Sequence, residues 1–394
     1  MVFRGIMGRR FWFSFIILAV LILIVFFMRQ RNLLPYKSNR NTQQLASATP
    51  HSTPTPTLYP YENLTIPYLR KQTYDSNLGS LQQISENSTY VTYLTSYLSD
   101  GLKINGLLTV PTGIAPNGGW PAIVFVHGYI PPKQYNTLTF YVDYVDYLAS
   151  NGYVVFKIDL RGNGTSDGTP QGAYFSNGYV IDTLNAYAAL QNAHVASPSA
   201  STNSIPAAGS SAKTNNITPS GPASLTAAIV NVNPLKIGLW GHSMAGNIVM
   251  RAWAVKPTIP AVVIWSGAGY SYTDLEKYKI HDPSYQPIHS ASTSAGLQNS
   301  IQKLYGKPDL NNFFWHDLAP VSFLPDLKGA IQIDQAKDDT VVNVGYNQDL
   351  IKLFDATTVP HTFIEYPTGG HNITEPSFTQ AMENTVNFYN KYLK

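Results

Sequence analysis

Three widely separated stretches carry residue types that could together perform acyl transfer. The first is Gly241-His242-Ser243-Met244-Ala245-Gly246. The apolar run before it, with Ile237, Leu239 and Trp240, reads as a buried strand, and Ile248 to Val255 reads as a helix. A serine in a tight small-residue turn between strand and helix is the setting in which G-x-S-x-G presents a nucleophile. Ala245 stands where that pattern has its second glycine, and a methyl group is the smallest departure available. Such a serine needs a base to take its proton and an acid to orient that base.

The base is expected at His371, in Tyr366-Pro367-Thr368-Gly369-Gly370-His371, where the Gly-Gly pair lets the loop fold back toward Ser243. The acid is expected in Ala336-Lys337-Asp338-Asp339-Thr340-Val341-Val342-Asn343. Both aspartates have a valine three residues on. The spacing to Asn343 and Asn347 favours Asp339, with Asp338 the alternative acid or else a loop-capping residue. The order Ser, Asp, His along the chain agrees with that assignment. Val124-Phe125-Val126-His127-Gly128-Tyr129 ends another buried strand, so the backbone N–H groups of Tyr129 and Met244 are the expected oxyanion donors. Trp265, at a strand end, and Val341, beside the acid, are expected to touch substrate.

Other chemistries find little support. The chain has no cysteine, which excludes disulfides and thiolate sites. None of the remaining histidines has metal-ligand spacing to a second His, Asp or Glu, so neither metal nor cofactor is expected. His242 is expected to pack within the elbow. Asp159-Leu160-Arg161-Gly162-Asn163-Gly164 lacks both the Lys-Ser/Thr ending of a phosphate loop and the dinucleotide glycine pattern. It reads as a structural turn with Arg161 bracing neighbouring loops.

The elements that must position these residues follow an α/β rhythm. Strands are predicted at 122–126, 153–158, 236–240, 261–265, 330–333 and 362–365, and helices near 138–150, 178–193, 245–255, 346–355 and 375–392. This alternation implies a mostly parallel sheet covered on both faces. Tyr90–Tyr97 and Leu102–Val110, joined at Asp100-Gly101, read as an antiparallel pair ahead of it. Two insertions interrupt the rhythm. Residues 196–224, Ser/Ala/Asn/Thr/Pro-rich, read as a disordered surface loop. Residues 268–326, rich in Tyr, His and Trp, read as a cap over the site whose aromatic walls would favour ester over peptide substrates.

Residues 1–10 form a basic tail, and Phe11–Met28 is an apolar run broken only by Ser14, long enough for a transmembrane signal anchor. Residues 29–60 read as a Pro/Thr/Ser-rich tether, and the catalytic domain is expected over 61–394. The net charge is +3, yet residues 1–40 hold seven basic side chains and no acidic one, so removing them takes +3 to −4. The basic surplus therefore belongs to the membrane-flanking segment and does not indicate a nucleic-acid partner. Basic residues flank both sides of the span, three before and four after, and the ten-residue tail with the position of the catalytic mass favours an extracytoplasmic catalytic domain.

Ser99-Asp100-Gly101, His127-Gly128, Asp159-x-Arg161-Gly162-x-Gly164, the elbow, the double aspartate and Gly370-His371 together resemble the α/β-hydrolase superfamily, and within it the prolyl oligopeptidase-like serine hydrolases. The resemblance runs from about residue 90 to the C-terminus. It implies a catalytic triad of Ser243, Asp339 (or Asp338) and His371 acting through an acyl-enzyme on a small ester or a short peptide. Three departures bear on substrate. No room exists for the propeller domain of the large family peptidases. Val341 or Thr340 stands where they carry Arg or Asn, and Gly241-His242-Ser243-Met244 is similar to elbows of monoacylglycerol-type lipases and esterases. A non-catalytic binding protein on the same fold is the reading of another class.

Overall fold

In the computed structural model, the described residues are 59–194, 230–280 and 291–394, with side chains described from 296 in the last stretch. The expected anchor at 11–28, nearly all of the tether and the 196–224 insertion lie outside them. Among the described residues, no helix is long and apolar enough to cross a membrane. The compact unit carrying the chemistry runs from Leu58 to Lys394, so Tyr59 and Pro60 belong to it.

Its strands are β1 (Gln82–Glu86), β2 (Tyr90–Ser99), β3 (Leu102–Pro111), β4 (Trp120–Val126), β5 (Val154–Ile158), β6 (Val232–His242), β7 (Ala261–Trp265), β8 (Ala330–Ala336) and β9 (His361–Tyr366). They form one sheet in the order β1-β2-β3-β5-β4-β6-β7-β8-β9. β1 to β3 are antiparallel, β3 pairs antiparallel with β5, and every pairing from β5 to β9 is parallel. β4, β5, β7 and the second half of β6 are almost wholly buried and accordingly read as near-continuous apolar runs, while β8 is equally buried but carries Gln332, Asp334 and Gln335 inside. β1 (Gln-Gln-Ile-Ser-Glu) is exposed throughout and carries no apolar alternation, which is why it is absent from the sequence expectations.

The helices are α1 (Ile66–Arg70), α2 (Val142–Ser150), α3 (Gly178–Asn192), α4 (Ala245–Val255), α5 (Tyr272–Tyr278), α6 (Ala291–Tyr305), α7 (Phe313–Leu318), α8 (Gly345–Asp355) and α9 (Phe378–Leu393). One core joins the buried sides of α3, α4 and α8 to one face of the sheet, with Leu184, Ile248, Trp253 and Phe354 among its members. The other joins α2 and α9 to the opposite face through Leu148, Met382, Val386 and Tyr389. The stripe of α9 therefore faces the sheet, as its i, i+4, i+8 and i+11 spacing requires.

The expected cap behaves differently from its sequence reading. Tyr272, Ile301, Phe314, Trp315 and Leu318 form a satellite core that also takes in Leu64, with Tyr59 and Tyr61 packed against it. Tyr270 donates to Asn347 Oδ1 at 2.6 Å and is fully buried. These aromatics hold the segment and the start of the domain together, and none of them lines the cavity at Ser243. Residues 281–290 of that segment lie outside the described residues.

The Gly-rich turn after β5 is structural. The Arg161 guanidinium donates to Asp182 Oδ1 at 2.7 Å and to Asp100 Oδ2 at 3.0 Å. Two of the motifs behind the family resemblance are thus one ion-paired brace, joining the β2–β3 turn to the loop after β5.

Candidate active site

β6 delivers Ser243 to the carboxyl end of the sheet in a left-handed conformation, φ 56°. A non-glycine residue in that region is strained and must be held by its surroundings. Two hydrogen bonds hold it: Ser243 N–H donates to Trp265 O on β7 at 2.9 Å, and Ser243 O accepts from Gly246 N–H at 2.9 Å. The small flanking residues are required by contact. A Cβ on Gly241 would sit 2.8 Å from Ala245 O, and one on Gly246 would sit 2.7 Å from Gly267 Cα. Ala245 is fully buried, so its methyl group fits where the pattern has glycine.

Asp339 and His371 meet as the spacing suggested, Oδ2 to Nδ1 at 2.9 Å. The Asp339 side chain is 1% exposed and that of His371 is 18% exposed. Asp339 Oδ1 accepts from the backbone N–H groups of Val341 and Val342, both at 2.9 Å, and Oδ2 also receives Gln335 Nε2 at 3.2 Å. Burial alone would raise this carboxyl, but the hydrogen bond and charge of His371, with the two backbone donors, hold it below its ordinary range. Asn347 acts at one remove, donating to Gln335 Oε1 at 2.6 Å.

Asp338 takes a different place. Its carboxylate accepts from Thr368 Oγ1 at 2.6 Å, Gly370 N at 2.8 Å and Gly369 N at 3.3 Å, which lowers its pKa although the group is exposed. It caps the Gly-Gly turn that carries His371, where Gly370 has φ 61°. The paired aspartates hold one histidine by its ring and by its loop.

The cavity at Ser243 has a volume of about 370 Å³ and is lined by Tyr129, Ile130, Phe140, Tyr141, Tyr144, His242, Val341, His371 and Asn372. Among the described residues, no Asp, Glu, Lys or Arg lines it. Val341 is at the wall as expected. Trp265 is not: it is fully buried, its Nε1 donates to Thr385 Oγ1 at 3.1 Å, and its ring packs on Tyr144 and Trp240. A strand-end tryptophan on an all-buried strand is core, and only its carbonyl serves the site.

Met244 follows Ser243 and opens α4, and Tyr129 follows His127-Gly128 at the end of β4. The Gly128 N–H is already committed to Tyr141 Oη at 2.9 Å. Sequence reasoning missed Phe140, Tyr141 and Tyr144. The signal was present as tyrosines three apart at the start of a helix that follows the His-Gly loop. His242 is buried in the elbow, and its ring lies 4.7 Å from that of His371, centroid to centroid. Burial pushes it down to about 3, helped by the neighbouring charge of His371.

Residues 228–393 match the family described as BAAT / Acyl-CoA thioester hydrolase C terminal. Among curated proteins, no sequence matches the chain significantly. Solved structures share the fold. A puromycin-hydrolyzing peptidase of Mycobacterium tuberculosis superposes with TM-score 0.52 at 16% identity, over 78% of this chain and 40% of that one. The match thus spans 40% of the length of that peptidase. An acetyl xylan esterase from Paenibacillus sp. R4 superposes with TM-score 0.50 at 15% identity, over 84% of this chain and 93% of that one. With this sheet order and these superpositions, the chain has the α/β-hydrolase fold, and its C-terminal part, residues 228–393, is similar to the acyl-CoA thioester hydrolase family.

Proposed function

We propose that the chain hydrolyses carboxylic esters, oxygen esters or thioesters, of small uncharged acyl groups through a Ser243–His371–Asp339 triad. The observation that carries this reading is the Asp339–His371 hydrogen bond at 2.9 Å, with His371 and the strained Ser243 on the wall of one cavity. Asp339 fixes the His371 tautomer with Nδ1 protonated, which leaves Nε2 to take the Ser243 proton as Oγ attacks the acyl carbon. The N–H groups of Tyr129 and Met244 receive the developing oxyanion, typically worth about 3 kcal/mol per donor. His371 then protonates the leaving group, and a water activated by the same nitrogen releases the acyl group from Ser243.

The acyl class follows from the walls. Tyr129, Ile130, Phe140, Tyr144 and Val341 offer apolar and aromatic surface, and no charged side chain among the described residues stands ready for a free amino or carboxyl terminus. A charged group brought into such a cavity loses hydration without compensation. The printed description of the family matched over 228–393 adds thioesters to the candidates.

The test is active-site labelling with a fluorophosphonate, followed by kcat/KM on p-nitrophenyl acetate through hexanoate, acyl thioesters and aminoacyl amides. Labelling lost in Ser243→Ala, with ester or thioester turnover well above amide turnover after allowance for intrinsic reactivity, is the expected result. Efficient cleavage of unactivated peptides with poor ester turnover would replace this reading by a prolyl oligopeptidase-like peptidase. Absence of both labelling and turnover would leave a binding protein.

The apolar run Phe11–Met28 further supports attachment to a membrane, and the ten-residue tail ahead of it favours a catalytic unit on the extracytoplasmic side. Carbonate-resistant membrane association of the full chain, lost on deleting residues 1–57, tests the attachment. Protease accessibility in sealed cells tests the side.

A further inference from the structure

Three bonds run in series beneath the cavity, and their chemistry fixes the direction of every proton. His242 Nε2 lies 2.9 Å from His371 O. A carbonyl only accepts, so Nε2 carries the hydrogen. The neutral ring then has a bare Nδ1, which lies 2.8 Å from Tyr141 Oη. Tyr141 must therefore donate to Nδ1, and its oxygen accepts from Gly128 N–H at 2.9 Å. The sequence Gly128 N–H to Tyr141 O–H to His242 Nδ1, then Nε2–H to His371 carbonyl, uses each donor once and leaves no ambiguity of tautomer.

The backbone shows that this arrangement is held at a cost. Tyr141 adopts φ 61°, a left-handed conformation that a bulky side chain rarely takes, immediately before α2. A Cβ on Gly128 would meet His242 Nδ1 at 2.9 Å, Tyr141 Oη at 2.9 Å and Ser243 Cβ at 3.1 Å. The three side chains thus converge on a spot only glycine leaves open.

We propose that His242 and Tyr141 are positioning residues that lock the oxyanion loop after β4 and the His371 loop to the nucleophile elbow, so that donors, nucleophile and base keep one register. This inference rests on the serine-hydrolase reading above. Neither residue touches the reacting atoms in this role. The strap works through Gly128 and through the carbonyl of His371, and so acts on the geometry of the transition state more than on substrate affinity.

Tyr141→Phe removes one hydroxyl and both of its bonds while keeping the ring. The expected effect is a fall in kcat of roughly 10- to 100-fold, the scale for slight misplacement of catalytic groups, with KM little changed. His242→Leu should fall similarly, and His242→Gln, whose amide can still donate to His371 O, should recover part of the loss. The double variant Tyr141→Phe with His242→Leu should be no worse than the poorer single, since both break one chain. A structural role alone would move melting temperature and KM and would show no such non-additivity.

A readout independent of turnover is the ¹⁵N NMR of the His242 ring. The expected signature is a protonated Nε2 with no titration between pH 5 and 8, changed to a tautomer mixture in Tyr141→Phe. Wild-type kcat in Tyr141→Phe and His242→Leu, while Ser243→Ala is inactive, would overturn the proposal and leave the hydrolase reading standing. An Nδ1-protonated or titrating His242 would overturn it whatever the activity. Full turnover by Ser243→Ala would instead overturn the hydrolase reading.

Discussion

Asp339 accepts from His371 at 2.9 Å, while Asp338, its neighbour in sequence, never meets the ring and binds the backbone two and one residues before it. Adjacent carboxylates on one turn point to opposite sides, so the pair separates ring orientation from loop placement. The two substitutions should therefore differ in kind. Asp339→Asn would present an amide where Nδ1–H needs an acceptor, and kcat should fall on the order of 10⁴-fold. Asp338→Asn keeps a carbonyl acceptor for the turn and should cost about tenfold or less. Steady-state kinetics of both variants decide the matter, and a greater loss in Asp338→Asn would exchange their roles.

Ser243→Ala should keep the fold and lose nearly all turnover, by a factor on the order of 10⁴ or more. Alanine also relieves nothing of the left-handed backbone, so its melting temperature should stay close to wild type. Circular dichroism and p-nitrophenyl ester hydrolysis on the same preparation check both halves. Residual hydrolysis near wild type would remove Ser243 from the mechanism.

A second buried aspartate gives a pH prediction. Asp334 is sealed in β8, accepting from Tyr366 Oη at 2.7 Å and Gln332 Nε2 at 2.8 Å, and burial pushes its carboxyl up to about 7. An unfolded aspartate titrates near ~3.9. The folded protein thus retains a proton that the unfolded chain releases, and this contribution to stability declines as pH rises from about 4 to about 7. Asp334→Asn cannot ionise. Its melting temperature should fall less than that of wild type between pH 5 and pH 8, by a difference on the order of a few degrees. Parallel melting curves against pH for the two proteins would contradict this.

The start of the domain is equally testable. Tyr59 packs edge-on against Phe313 at 5.4 Å, Pro60 O accepts from Tyr305 Oη at 2.7 Å, and Leu64 O accepts from the Arg251 guanidinium. A chain beginning at residue 58 should melt like the full-length protein and retain its kcat. One beginning at residue 66 should melt several degrees lower, having lost Tyr59, Tyr61 and the carbonyl that Arg251 uses. Equal melting of the two truncations would show that these contacts contribute nothing.

Much of the site was legible because its signals are local. β4, β5 and β7 announce themselves as apolar runs, since burial on both faces leaves no alternation to confuse, whereas β9 is only half-buried and is marked by Phe363 and Ile364. Ser243 and His371 sit in turns whose glycines have a backbone reason to be there. Choosing between Asp338 and Asp339 needed the turn geometry, because both satisfy the same spacing. Trp265 was misplaced because a strand end in sequence does not say which way the ring points, and here it points down into the core. Tyr272, Phe314 and Trp315 were given to the cavity when they belong to a satellite core of their segment, and Tyr270 belongs to the main core. The true wall, Phe140, Tyr141 and Tyr144, went unnoticed, since its place depends on how the loop after β4 folds. That loop is pinned from below by the buried Lys157 Nζ, which donates to Thr137 O and Phe140 O, a long-range contact with no local sequence mark.

Arg251 lies on α4, the helix that begins just after Ser243, and grips Leu64 O, Ser176 O and Asn177 Oδ1. The start of the domain is therefore fastened to the helix that follows Ser243 before the chain enters β1, so detaching it would strip a buried guanidinium on that helix of one acceptor.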